Sequence, residues 1–385
     1  MSVSDPVSTR MELPTEALEL RSTVTSDGRL VLTLESITVP LPQAHEVVVA
    51  VEATPLNPSD LGLLLGPVDL STMTVAGTAE RPRVIAAIPE SAMPSLSARI
   101  DRSMKVGNEG AGTVVAAGSA VSHLLGLKVG MFGGAMYTQL RTLPAADCVP
   151  LPEGASMADG ASMFVNPLTA LAMVETMHAE GHRALVHTAA ASNLGQMLNR
   201  ICLSDGVPLV NIVRSESQAQ LLRSAGASHV VDNSAADFAE TLEDAIGATG
   251  ATIAFDAIGG GRLANAILHA MERSLSRAAA FSRYGSTTHK QVYIYGSLDR
   301  GPTVLDRTYG MAWGIGGFLL TPFLQKIGPE GEARLRSRVA SELKTTFASH
   351  YTATVSFREL LDPVRLSAIA RRATGEKYLI DPSLP

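Results

Sequence analysis

The sequence predicts an α/β fold in two parts, a β-rich stretch of short strands followed by a doubly wound parallel sheet. Three observations carry this. Up to about Pro152 the apolar runs are short and cut by Gly and Pro, as in the alternating Leu30, Leu32, Leu34 or the run Val47-Val48-Val49-Ala50-Val51. From Arg183 onward, short apolar strands alternate with amphipathic stretches, which is the pattern of βαβ units. And 385 residues suit two moderate cores better than one.

The elements follow in order. After the strands near Leu30 and Val47, the run Thr54-Pro55-Leu56-Asn57-Pro58-Ser59-Asp60 is a turn, because two prolines fix φ and remove donors. A short helix, capped by Ser59 or Asp60, is expected over Leu61–Leu65. Pro67 to Met104 reads as a long excursion holding one strand at Val84–Ile88. Strand sequence returns at Gly110–Gly118, and turns from Gly126 to Tyr137 lead to Cys148-Val149-Pro150. Close spacing of such strands indicates a small barrel-like domain. Ala161 to Met177 reads as a helix broken at Pro167. Then come strands at Ala184–His187, Leu209–Val213, His229–Val231, Thr252–Asp256 and Val292–Tyr295. Helices are expected between them at Leu194–Leu203, Ser217–Ala225, Ala235–Ile246 and Leu263–Met271. A last helix, Asp362–Arg372, precedes a closing strand, Lys377–Ile380.

Composition removes several classes of function. A net charge of −6, with 31 Lys and Arg in no run, gives no footprint for nucleic acid. Two cysteines, Cys148 and Cys202, cannot build a disulfide framework or a zinc cluster. The longest apolar stretch, Gly310 to Leu324, is too short for a bilayer of roughly 30 Å, so no membrane role is expected. Met1 to Arg10 is polar and shows no signal peptide, which makes the cytoplasm the expected location.

The strongest local signal runs from Ala184 to Leu198. A strand passes into a turn of small residues and then into a helix with Leu194, Met197, Leu198 and Ile201 on one face. Dinucleotide folds need small residues there so that a pyrophosphate can approach the helix N-terminus. The three glycine positions of that pattern fall on Ala190, Ser192 and Gly195, so only one is kept. After the second strand comes Arg214-Ser215, where an acid would bind the ribose of NAD. A guanidinium there suits the 2′-phosphate of NADPH, which is favoured over NADH. The alternative is a solvated arginine beside a helix-capping serine.

Together these segments resemble the medium-chain dehydrogenase/reductase superfamily, in its zinc-independent branch of quinone oxidoreductases and 2-enoyl thioester reductases. The resemblance rests on Leu56-Asn57-Pro58-Ser59-Asp60, Val106-Gly107-Asn108-Glu109-Gly110, Val165-Asn166-Pro167-Leu168-Thr169-Ala170, Ser192-Asn193-Leu194-Gly195-Gln196, Val213-Arg214 and Gly375-Glu376-Lys377. It implies a GroES-like β-rich catalytic domain over 1–163, a Rossmann NADPH-binding domain over 164–318 and a return to the catalytic domain over 319–385. It further implies cofactor contacts at Asn166, Thr169, Ala190, Ser192, Asn193, Leu194, Gly195, Arg214, Ser215, Ala257, Ile258, Gly296, Ser297, Phe318, Leu319 and Lys377. For Lys377 the alternative is an exposed loop lysine.

Two departures from the family matter. Zinc-dependent members carry Gly-His-Glu where this chain has Gly107-Asn108-Glu109, and their cysteine ligands are missing, so no metal is expected. Relatives that reduce enoyl thioesters place a tyrosine shortly after the Asn-Pro turn, and here Leu65-Gly66-Pro67-Val68-Asp69 contains none. The proton then comes from water, from a relay through the cofactor ribose or from another residue; Tyr137 is the candidate substitute, with a packing aromatic as the alternative. Asn57 is the second catalytic candidate, or else a plain turn former. His187 is expected to be buried and hydrogen-bonded.

The resulting expectation is a zinc-free oxidoreductase that passes hydride from NADPH to an activated double bond of a small-molecule substrate. Quinone reduction and a catalytically inactive NADPH-binding protein are the alternatives. Relatives pair sheet edges into dimers, which makes Gly316 to Phe323 the candidate edge of a homodimer.

Overall fold

The computed structural model describes residues 14–277, 279–371 and 373–385. The expectation for Met1 to Arg10, and the end of the last helix at Arg372, lie outside the described residues. The chain divides into one unit of residues 1–163 and 349–385 and a second of residues 164–348.

The first unit is built from two sheets. A five-stranded sheet has the order Thr74–Gly77, Pro82–Ala87, Arg29–Thr38, Glu16–Val24, Ser103–Lys105. Leu30, Leu32 and Leu34 all turn their side chains to the core from one face of its central strand, as their alternation requires. The segment Pro67 to Met104 is thus largely a sheet edge: it supplies three strands, including Thr74–Gly77, whose polar and small residues gave no strand signal. The other sheet follows Cys148–Pro150, Lys128–Phe132, Glu109–Ala117, Glu46–Pro55, Tyr378–Ile380, Ala353–Val355, with Leu140–Pro144 also on Glu46–Pro55. Helix α1 (Pro58–Leu64) follows the strand Glu46–Pro55, and α2 (Met157–Ala161) starts on a Ser156 cap. The main core of this unit gathers Leu20, Leu32, Leu64, Val84, Tyr137, Leu360 and Ile380.

The second unit opens with α3 (Val165–Ala179). Pro167 does not break it. It sits in the first turn, where a peptide N–H has no partner within the helix, so its absence costs nothing. A six-stranded parallel sheet follows, in the order His229–Asp232, Leu209–Val213, Leu185–His187, Ile253–Asp256, Lys290–Ile294, Trp313–Gly317. Helices α4 (Asn193–Asp205) and α5 (Glu216–Ser224) lie among its crossovers. The strand order reverses between Leu185–His187 and Ile253–Asp256, so the loops after these two strands flank a switch point.

Two boundaries differ from expectation. The edge strand is Trp313–Gly317, and by Leu320 the chain has entered a helical stretch that is broken at Gly328, resumes to Ser341 and packs on α3. This packing keeps residues up to 348 in the second unit, where a return at 319 was expected.

A buried ion pair pins the loop that joins the helix Leu263–Ser276 to the strand Lys290–Ile294. Lys290 is fully buried, with Nζ 2.8 Å from Glu272 Oε2, while Glu272 Oε1 accepts the Ser286 N–H at 2.8 Å. Removing one partner leaves a buried charge uncompensated. Glu272→Ala should therefore cost about 3–5 kcal/mol in urea unfolding, and Glu272→Leu combined with Lys290→Met should recover most of it.

Candidate active site

In the first unit the site grows from the turn that the two prolines set. Asn57 precedes α1, and its backbone N–H donates to Asp60 Oδ2 at 2.9 Å, closing the first turn. Asp60 Oδ1 accepts the Asn108 N–H at 3.0 Å. Asn57 Nδ2 donates to Glu109 Oε1 at 2.8 Å, so the strand Glu109–Ala117 orients the Asn57 amide. Asn57, Asp60 and Glu109 are all buried. Burial pushes the Asp60 carboxyl up to about 7, and the Glu109 charge adds to this, against the N–H groups of Asn57 and Asn108 and the charge of Lys377.

Lys377 is buried, not an exposed loop lysine. It lies just before the strand Tyr378–Ile380, and its Nζ donates to Ser162 Oγ at 2.7 Å. Burial pushes its ammonium down to about 8, although Glu109 and Asp60 favour the charged form.

Tyr137 is fully buried, and its hydroxyl donates to the Pro55 carbonyl at 3.0 Å. Its ring packs under Gly107, where φ is +90° and a Cβ would collide with the aromatic carbons. Burial, then the charges of Asp60 and Glu109, hold its phenol well above the usual value. Tyr137 and Asn57 therefore belong to one buried cluster.

In the second unit the cofactor candidates gather at the carboxyl ends of the parallel strands. Ser192 caps α4, its Oγ accepting the Gly195 N–H at 3.1 Å. A Cβ at Gly195 would collide with the Ala190 carbonyl, so this position needs glycine for close packing of helix against strand. Ala190 is fully buried, and the neighbouring Ala189 takes a φ of +51°. Asn193 and Leu194 form the first turn of α4. Ser215 caps α5 by accepting the Gln218 N–H at 3.4 Å, and Arg214 is exposed, with no ion-pair partner among the described residues.

The loop after Ile253–Asp256 is held from within. Thr188 Oγ1 donates to Asp256 Oδ1 at 2.7 Å and accepts the Ala257 N–H at 2.8 Å, and Ile258 N–H reaches Asp256 Oδ1 at 2.9 Å. The Ala257 and Ile258 carbonyls accept from Leu298 and Asp299, so a ligand would meet the side chains of these residues rather than their peptide groups. Gly296 and Ser297 follow the next strand, with Ser297 exposed. Phe318 stacks edge-on against Phe255 at 5.1 Å, and Leu319 is exposed. Asn166 and Thr169 are buried in α3, with Thr169 Oγ1 donating to Val165 O at 2.6 Å. His187 is buried, as expected, with Nε2 2.7 Å from the Tyr295 hydroxyl, and burial pushes it down to about 3.

Sequence reasoning missed Asp60, Glu109, Ser162, Tyr351 and Thr188 as site residues. Asp60 and Glu109 lay inside quoted motifs and carried a signal; Ser162 and Tyr351 carried none. They are 189 positions apart, yet their hydroxyls meet at 2.7 Å.

The second unit thus carries a dinucleotide-type turn at a switch point, and the first a buried cluster of amides and carboxylates. Residues 194–304 match the family model described as zinc-binding dehydrogenase. Over nearly the full length the chain resembles a Mesorhizobium loti protein assigned as an NADPH:quinone reductase, at 26% identity, covering 97% of this chain and 100% of that one, with a TM-score of 0.72. A mycobacterial protein solved with NADPH has the same fold at 18% identity, covering 95% and 100% of the two chains, with a TM-score of 0.66. The mitochondrial enoyl-[acyl-carrier-protein] reductase of Xenopus tropicalis is 28% identical over 52% of this chain and 52% of its own. The chain thus spans about half the length of that curated relative. These likenesses are all to oxidoreductases of the medium-chain dehydrogenase/reductase type, in the zinc-independent group of quinone oxidoreductases and enoyl reductases that the sequence motifs resemble.

Two outcomes follow from this geometry. Gly195→Ala should lose about 1–3 kcal/mol of stability in denaturant titration, because the added methyl has no room. Asp60 binds its proton more tightly folded than unfolded, about 7 against 3.8, so its contribution to stability is whole below pH 4 and is lost as pH rises through 7. In Asp60→Asn this loss disappears. The stability of the variant relative to wild type should rise between pH 4.5 and 7, by at most about 1.4 kcal/mol per pH unit in urea melts.

Proposed function

We propose that this protein is an NADPH-dependent reductase that adds hydride to the β-carbon of an activated double bond, in an enoyl thioester or an enone. The observation that carries the reading is Arg214, an exposed guanidinium without an ion-pair partner among the described residues, placed after the second strand of a dinucleotide sheet. An acid at that place would select NAD; a guanidinium beside the Ser215 hydroxyl suits a 2′-phosphate. Gly195 lets α4 pack closely on the Ala190 backbone, which sets the N-terminus of α4 at the end of its strand, where first-turn N–H groups suit a pyrophosphate. Asn166, Thr169, Ala257, Ile258, Gly296, Ser297, Phe318 and Leu319 are the further contacts in this reading. The cofactor, when bound, supplies the hydride.

The β-rich unit supplies the rest. Hydride addition next to a carbonyl places negative charge on its oxygen, which needs a donor. Asn57 is that donor, its amide held by Glu109. Tyr137 fixes the turn on which Asn57 stands, through Pro55. The cluster offers amides and carboxylates, not the thiolates and imidazole of a catalytic zinc site, and we infer that no zinc takes part. Quinone reduction is the second reading, favoured by the full-length likeness to the Mesorhizobium loti protein. We further propose a cytoplasmic homodimer paired through the edge strand Trp313–Gly317.

Steady-state NADPH oxidation against crotonyl thioesters, enones and quinones should show turnover of the first two, unchanged by EDTA. Tight NADPH binding with no turnover of any acceptor would instead mark a catalytically inactive binding protein. Arg214→Ala should raise KM for NADPH about 10- to 100-fold and leave KM for NADH nearly unchanged, the loss of a charge-assisted contact. Sedimentation at micromolar concentration should give a dimer.

A further inference from the structure

Reduction of a carbon–carbon double bond takes up one hydride and one proton, and the proton needs a source. The tyrosine that relatives carry after the Asn-Pro turn is absent from this chain. A different set of groups stands in the β-rich unit. The parallel pairing of Ala353–Val355 with Tyr378–Ile380 sets Tyr351 and Lys377 side by side at the same end of two adjacent strands, with Thr352 N–H donating to the Lys377 carbonyl at 2.7 Å. Ser162, directly after α2, fills the space between their side chains. Lys377 Nζ is 2.7 Å from Ser162 Oγ, Ser162 Oγ is 2.7 Å from the Tyr351 hydroxyl, and Lys377 Nζ lies 5.3 Å from the centre of the Tyr351 ring.

The direction of this chain is fixed by burial. Ser162 and Lys377 are 1% and 8% exposed, whereas Tyr351 is only half-buried and its hydroxyl meets Ser349, also half-buried. One end therefore opens towards solvent, and the other is an ammonium inside the cluster. That ammonium has three N–H groups, and one hydrogen bond to a neighbouring side chain among the described residues. Its other two donors are a buried surplus that calls for an acceptor.

We propose that Lys377 is the proton donor of the reduction and that Ser162 and Tyr351 recharge it from solvent. This rests on the reductase reading above. In the step, an N–H bond of Lys377 breaks and a C–H bond forms at the α-carbon of the enolate, while the N–H electron pair stays on Nζ. The lone pair then takes the Ser162 hydroxyl proton as Ser162 takes that of Tyr351 and Tyr351 takes one passed through Ser349 from a hydronium ion or buffer acid of the solvent, so that the one proton consumed comes from bulk acid. No phenolate or alkoxide builds up along the chain: burial holds the Tyr351 phenol well above its usual value, so it releases a proton only as it receives one. Around the chain stand Asp60 on α1, Glu109 on its strand, Asp159 on α2 and Tyr137; Asp60 and Glu109 favour the charged lysine, and burial opposes it. The resulting value of about 8 lets Lys377 be charged at neutral pH and still give up a proton. Ser162 and Tyr351 act through Lys377 and are positioning residues.

The test uses the full-length chain labelled with ¹⁵N-lysine. Ser162→Ala and Tyr351→Phe should slow exchange of the Lys377 ammonium protons with solvent at least tenfold, whereas Ser162→Thr, which keeps the hydroxyl, should restore it. In the same variants kcat with an enone should fall about tenfold with a larger solvent isotope effect, while a single turnover of NADPH keeps its rate. Exchange equal to wild type in both variants would overturn the recharging route. If slow exchange is seen but the wild-type enzyme reduces no acceptor, the reductase reading fails, and the donor role with it.

Discussion

The first unit depends on the return of the chain. Its last strand, Tyr378–Ile380, pairs with the end of Glu46–Pro55, Leu379 opposite Pro55 and Ile380 opposite Thr54. The same strand runs parallel to Ala353–Val355. Two pieces of sequence more than three hundred residues apart are thereby fixed to the register of one sheet. Because the pair is antiparallel, the turn that carries Asn57 and Asp60 leaves at the same end at which Lys377 enters, the Leu56 N–H donating to the Tyr378 carbonyl at 3.0 Å. Ile380 is fully buried, so the pairing is held by apolar burial as well as by backbone hydrogen bonds. Without this closure there is no buried cluster, only a turn, a loop and a frayed end.

Burial then decides the chemistry. In water Asp60 would be an ordinary carboxylate and Lys377 an ordinary ammonium. Inside the unit both are driven towards their neutral forms, to about 7 and about 8. Those values lie at and just above neutral pH, which is where groups that exchange protons work best. The fold does not leave the groups unsupported: Asn57 and Asn108 donate backbone N–H groups to Asp60, and Ser162 accepts from Lys377. The cost of keeping polar groups dry is offset by hydrogen bonds that also fix their directions.

The nucleotide unit solves a different problem with fewer glycines than its pattern suggests. Ala190 and Ser192 replace two of three, and both are accommodated by geometry. Ala190 is packed with its side chain inward, and Ser192 turns its hydroxyl back to cap α4. Gly195 has no such freedom, because the Ala190 carbonyl occupies the place of a Cβ. Thr188 and Asp256 brace the two loops at the switch point from below. The surface offered to a ligand is thus made mainly of small side chains and the opening of a helix.

The sequence by itself determined the fold class, the order of strands and helices in the nucleotide half, and the places of Asn57, Gly195 and Arg214. These are local properties: apolar period, proline and glycine punctuation, and small residues at a strand–helix turn. Pro167 and the edge strand were misread for the same reason. A proline in a first turn looks like one in a helix middle, and Trp313–Gly317 is too rich in glycine to show a strand pattern. Only the tertiary structure decided that Lys377 is buried, that Tyr137 is bound to Pro55, and that Ser162 and Tyr351 meet. Each of these depends on strand pairing between distant segments, and no local pattern encodes which distant partner a buried side chain will find.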